Sequence, residues 1–317
     1  MERQKEIKLP KTPVGWAIHL SKLVKLFHQI HGLDRFPIRV ADVAQEFSRN
    51  AFPEGPITLI RGEKLSHKFE GALIPHPDDN GEWGIFYNSS IKSAGRKNFT
   101  LGHELGHYLL HRQLSRDPIY CAKSDMWAWD SAYGKMESEA NEFASYLLMP
   151  LDDFREQTHG LGRACIDDFE LIRTRYEVSL TAAILKWLAL TQKRAMIVVS
   201  RDGFIDWSRS STPLLRSGVY FKAKQEVIPL PSASLTATKS SDGPTGKMVP
   251  AGVWATNEDV FESVIFSEYH DMAISLLIYP DEAPFRRDFL LPEYEAESEI
   301  DTFDKFNDLS KRRERRE

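Results

Sequence analysis

His103 and His107 stand four residues apart in "NFTLGHELGHYLLH", and Glu104 directly follows the first of them. On a helix, positions i and i+4 project from one face. Two imidazole nitrogens one turn apart can grip a single zinc ion. Glu104 falls about 100° further round, where it can serve a water rather than bind the metal. The chemistry predicted is hydrolysis, with a metal as Lewis acid and Glu104 as general base. A core helix that merely contains two histidines is the plainer alternative. It would have to supply both buried imidazoles with hydrogen-bond partners. It would also have to fall by chance on a helix after a strand pair.

A catalytic zinc takes three protein ligands and keeps one position open. The third is sought in "KMESEANEFASYLLMP". Ala140, Phe143, Ala144, Leu147 and Leu148 mark the apolar face of that helix. At about 100° per residue, Glu137 falls at the margin of this face and is aimed inward. Glu139 falls nearly opposite Asn141 and is aimed outward. Glu137 and Asn141 share a stripe, so the carboxylate can bind the metal while the amide holds a histidine's second nitrogen. Glu137 is the favoured ligand and Glu139 the alternative; either also reads as an acid near a helix N-terminus. Tyr108, His111, Tyr120 and Tyr133 are nearby donors for a tetrahedral intermediate, and none is assigned. Tyr108 reads better as a packed aromatic. Cys121 reads better as an inert thiol than as a cap on the metal.

Several elements must hold these residues. Apolar residues recur at helical spacing from Val14 to Ile30: Trp16, Leu20, Leu23, Leu26, Phe27 and Ile30. "IRVADVAQEF" reads as a second short helix. "ITLIR", "FEGALIP" and "WGIFYN" read as strands of a small antiparallel sheet, the last two joined by the turn "HPDDNGEWG". Ser93 can cap the histidine helix, which runs to about Arg112. Met136 to Met149 forms the ligand helix, closed by Pro150. Two short helices lie in Ile166 to Leu190. "RAMIVVSRDGFIDWSRS" is a hairpin with Asp-Gly at its turn. "VFESVIF" and "AISLLIY" form a further strand pair, and "KSSDGPTGK" is a flexible loop.

"FTLGHELGHYLLH" followed by "ESEANEFASYLLMP" resembles the ImmA/IrrE family of zinc metallopeptidases. "FEGALIP" and "WGIFYNSSIKSAGRKNFT" resemble that family's strand pair and lead-in. The resemblance spans about Val14 to Phe154. It extends more weakly through "LIRTRYEVSLTAAILKWLAL", similar to a helix-turn-helix-like segment after the peptidase core. It implies one zinc at His103, His107 and Glu137, with Glu104 as general base. It also implies a helix-turn-helix transcriptional repressor, or an antitoxin-type protein, as the partner that is cleaved.

The whole chain of 317 residues, 42% hydrophobic and 27% charged, reads as two domains or more. The fold class expected is α+β. A zincin-like peptidase domain with a small, mostly antiparallel sheet spans residues 1–155. A helix-turn-helix-like segment covers 156–192, and a mixed α/β domain of unknown role covers 193–292. A charged tail covers 293–317. Net charge of −5 gives no global pull toward nucleic acid or anionic membrane. Direct DNA binding would need a basic recognition helix, and "LTAAILKWLAL" offers only Lys186. The two cysteines, Cys121 and Cys165, the charged N-terminus and the short apolar runs fit a soluble cytoplasmic protein. The competing function is a sensor or partner-binding protein whose zinc core is structural or weakly active. A deformylase-like hydrolase would be expected to supply a cysteine upstream of the motif, and none precedes it.

Overall fold

The computed structural model describes residues 9–66, 69–78, 81–114, 119–122, 132–267 and 272–282. The expected tail, 293–317, lies outside them. The chain divides into two compact units, Met1–Gln157 with Arg175–Val178, and Thr158–Thr174 with Ser179–Glu317.

In the first unit, α1 (Pro13–His31) starts where Thr12 Oγ1 accepts the Gly15 N–H at 3.1 Å, with Pro13 preset for the first turn. It ends at Gly32, whose φ of 64° closes the helix. The stripe that α1 buries is Trp16, Ala17, Leu20, Ser21 and Val24. Leu23, Leu26, Phe27 and Ile30, which share its periodicity, are exposed. α2 (Val40–Ala51) follows, then β1 (Ile57–Glu63), β2 (Phe69–Pro75), β3 (Trp83–Asn88), α3 (Ala94–His111), β4 (Ile119–Ala122), α4 (Ala132–Leu148) and α5 (Leu151–Thr158, apart from its last residue).

The sheet order is β1-β3-β2-β4. β2 pairs antiparallel with both β3 and β4, but β1 pairs parallel with β3. The expected antiparallel sheet is therefore mixed. The cause is position: the β2–β3 hairpin docks with β3 inward, so β1 meets the strand that runs its own way. β3 suits that central place, since Trp83, Gly84, Ile85 and Asn88 are all buried. α3 packs between this sheet and α4. Gly106 sets the approach, because a Cβ there would stand 3.0 Å from Ala140 Cα and 3.0 Å from Phe143 Cδ1. The glycine of the histidine motif thus lets the two helices come close enough to share a site.

In the second unit lie α6 (Ile166–Tyr176, apart from its last two residues), α7 (Leu180–Leu190), β5 (Ala195–Arg201), β6 (Phe204–Ser210), α8 (Thr212–Arg216), α9 (Leu235–Thr238), β7 (Lys247–Val249), β8 (Val260–Ser267) and β9 (Met272–Ile278). Its sheet runs β6-β5-β9-β8-β7 with every pairing antiparallel. Asp202 and Gly203 take φ of 51° and 81° at the β5–β6 turn, the conformation expected of Asp-Gly. "KSSDGPTGK" is less free than its composition predicts. The Gly243 carbonyl accepts the Val264 N–H at 2.7 Å, which ties the loop to β8.

Candidate metal centre

Ser93 caps α3 through the Arg96 N–H at 3.3 Å. Asn98 then clasps the chain before α2, donating to Ile38 O at 2.7 Å and accepting from Val40 N at 3.2 Å. Arg96 pairs with Glu70 of β2. From Thr100 to Leu109 every residue of α3 is buried. A helix buried on all sides cannot turn its ionisable groups to water, so they must be matched inside.

α4 brings Glu137 to them. His103 Nε2 lies 3.2 Å from Glu137 Oε2, and His107 Nε2 lies 3.2 Å from Glu137 Oε1. The two Nε2 atoms are 3.0 Å apart. The potential ligand atoms of all three residues fall within 4.8 Å of one another. Asn141 Nδ2 donates to the Glu137 carbonyl at 2.7 Å, which turns Oδ1 toward His103 Nδ1 at 2.9 Å. His103 therefore carries a proton on Nδ1, and its neutral form presents a lone pair at Nε2. Glu139 does not join the cluster; it reaches His111 Nε2 at 3.0 Å.

The protonation of these groups follows from their surroundings. Burial pushes the His103 imidazole down, but the Glu137 charge and hydrogen bond outweigh it and bring it up to about 9. Burial dominates at His107 and takes it down to about 4. Burial also lowers His111. For Glu137, burial acts upward, yet the His103 charge and hydrogen bond hold the carboxyl well below the usual range. In the metal-free protein, a proton on His103 balances the carboxylate. Metal binding displaces such a proton.

The donor set fits a divalent transition metal. Ligands at about 2.0–2.1 Å from a tetrahedral ion stand about 3.3 Å from each other. Here the two Nε2 atoms are 3.0 Å apart, and each stands 3.2 Å from a different oxygen of Glu137. Two imidazoles with one carboxylate select against the hard, oxygen-seeking cations. Glu104, fully buried, stands outside the triad. Its carboxylate lies against β2, where a Cβ on Gly71 would stand 2.4 Å from Glu104 Oε1. Only glycine leaves the side chain that room.

The other named residues separate clearly. Tyr108 is buried, donates to Gly55 O at 2.6 Å and packs against Phe52 and Trp83. Burial pushes its hydroxyl up to about 12. Its role is structural. His111 faces His107 and Glu139. The side chains of Tyr120, Cys121 and Tyr133 lie outside the described residues. Lys186 of α7 is buried, as is the rest of that helix from Leu180 to Leu188. Gly71 and the Glu139–His111 contact went unread in the sequence. The i+4 repeat of histidines 103, 107 and 111 was the available signal for the second.

A mixed α/β unit in which a His-Glu-x-x-His helix meets a second helix carrying a glutamate defines a class, the metallopeptidase-type domains. Comparison with known families adds a likeness over part of the chain. Residues 65–188 match the family model of the IrrE N-terminal-like domain, Peptidase_M78. This segment carries the ImmA/IrrE resemblance, which the match bears out. No curated protein matches the chain. Among the described residues, no helix is long and apolar enough to cross a membrane.

Proposed function

We propose that the protein is a zinc-dependent endopeptidase with a zincin-like core, acting in the cytoplasm on a protein partner. The observation that carries this reading is the convergence of His103 Nε2, His107 Nε2 and the Glu137 carboxylate, with buried Glu104 next along the helix. His103, His107 and Glu137 would hold the zinc. When bound, the metal supplies Lewis-acid polarisation of the scissile carbonyl and acidifies an attacking water. Glu104 accepts the proton of that water and passes it to the leaving amine. Asn141 keeps His103 oriented throughout.

The substrate class proposed is a helix-turn-helix transcriptional repressor or an antitoxin-type protein, and its cleavage would serve transcriptional regulation under stress. Two features support a protein substrate. The matched family is a peptidase family. Among the described residues, β4 is also an edge strand beside β2, the strand that touches Glu104, so an extended segment could pair along it. Direct reading of DNA by α7 is disfavoured by its burial.

Metal analysis of the purified protein tests the first half: about one zinc per chain is expected, lost in the double variant His103→Ala, His107→Ala. Glu104→Gln tests the second half. It is expected to retain the metal and to lower cleavage of the partner by about 10²–10⁴-fold. If the partner's repression is still relieved by Glu104→Gln, the protein acts by binding, and the sensor reading replaces this one.

A further inference from the structure

His103 and His107 are both oriented from behind, but not in the same way. Asn141 orients His103 in one step. Behind His107 the chain is longer. His107 Nδ1 lies 3.0 Å from His111 Nδ1, and His111 Nε2 lies 3.0 Å from Glu139 Oε2. A carboxylate only accepts, so His111 carries its proton on Nε2. Neutral His111 then offers a lone pair at Nδ1. His107 must donate its own Nδ1–H to that lone pair. Its Nε2 is left as a lone pair, and this is the atom that faces His103 and Glu137.

We propose that His111 and Glu139 are positioning residues that fix His107 in the tautomer able to bind the metal, with Glu139 as the outer anchor. The inference rests on the metallopeptidase reading and deepens it. Burial makes the assignment consequential. His107 and His111 are 0% and 2% exposed, so bulk water does not stand in for a missing acceptor. The Glu139 side chain is 32% exposed, which places the end of the chain at the surface. A purely packing role for His111 would depend on ring volume, whereas the positioning role depends on one lone pair at Nδ1.

The two roles predict opposite rankings of two substitutions. His111→Phe keeps an aromatic ring and removes the acceptor. His111→Asn loses volume but can place an amide oxygen where Nδ1 stands. Zinc affinity, measured by competition with a chromophoric chelator, is expected to fall about 10–100-fold in His111→Phe. It is expected to recover most of that loss in His111→Asn. Glu139→Ala, a change near the surface that tests the outer link without disturbing the core, is expected to weaken zinc by about tenfold. Glu139→Gln, whose amide oxygen can still accept, is expected to stay close to wild type. The visible spectrum of the cobalt-substituted protein should shift in His111→Phe and return toward wild type in His111→Asn. Wild-type affinity in both His111→Phe and Glu139→Ala would overturn the inference while leaving the metallopeptidase reading in place. Failure of the wild-type protein itself to bind zinc would overturn both.

Discussion

The two units bury charge in opposite ways. In the second unit, Glu262 is fully buried on β8. It accepts from the Leu235 N–H at 2.9 Å, the Thr236 N–H at 3.0 Å, the Thr236 hydroxyl at 2.7 Å and the Trp254 indole at 2.6 Å. Arg194 meets Glu258 at 2.6 and 3.1 Å and also donates to Ser217 and to Pro280 O. Acceptors there face donors. In the first unit, two imidazole nitrogens and a carboxylate converge on one point, and a single proton on His103 is all that matches them. Burial of an ionisable group therefore does not mark a functional site by itself. What separates the two clusters is that one is complete as folded, while the other could take up a cation.

The sharpest test of that contrast removes one partner from each side. Glu258→Ala leaves Arg194 buried without its carboxylate, which is expected to cost about 3–5 kcal/mol of folding stability. Denaturant titration reads that loss, and zinc content should stay unchanged. Chelation is the matching perturbation of the first unit. A ligand at a thousand times its dissociation constant stabilises by about 4 kcal/mol, so metal removal should speed amide exchange in α3 and α4. Exchange in β5, β8 and β9 should not respond. Equal acceleration in both units would show that the His-His-Glu cluster is no more metal-dependent than Glu262.

A smaller effect is expected at Gly71, which tests position rather than matching. An alanine Cβ there would stand 2.4 Å from Glu104 Oε1, so the carboxylate must move. Misplacing a catalytic group by about 1 Å can cost about 10²-fold in rate. Gly71→Ala should show a loss of that order in turnover with zinc affinity within about twofold of wild type. Full activity in Gly71→Ala would remove Glu104 from the reaction.

These contrasts also show what the sequence carried. The ligand geometry was legible because one helix obeys one period. His103 and His107 at i, i+4 and the inward aim of Glu137 over Glu139 both follow from about 100° per residue. Asn141 behind His103 followed from the same rule. The parallel pairing of β1 with β3 did not, since local pattern fixes a strand but not its neighbour. β4 was missed because four residues, Ile119–Ala122, carry too little alternation to read. Glu139 reads as outward from the same period and stays out of the ligand triad, but its long side chain reaches His111. Gly71 was invisible, because the need for glycine there comes from a side chain on another element. On α1, periodicity gave one apolar stripe where the fold uses Trp16, Leu20 and Val24 and leaves Leu26 and Ile30 outside.

The smallest effect falls on a carboxylate that shares a unit with the metal cluster but is matched like Glu262. Asp153 accepts from Arg175 Nε and Nη2, both at 2.7 Å, and from the Tyr176 hydroxyl at 2.5 Å. Burial pushes its carboxyl up, but the Arg175 and Tyr176 hydrogen bonds outweigh this and hold it below the usual carboxylate value. A depressed folded value means that the unfolded chain takes up its proton first as pH falls. The stabilisation is thus complete above the unfolded value of about 3.9 and fades as pH drops below it toward the folded value. Asp153→Asn cannot titrate there. Its stability deficit against wild type, read from urea midpoints, should be constant from pH 7 to about 5 and shrink below about pH 4. Zinc should not alter that gap. If chelation changed it, donor matching would not be what separates structural carboxylates from the metal site, and membership of the unit would be.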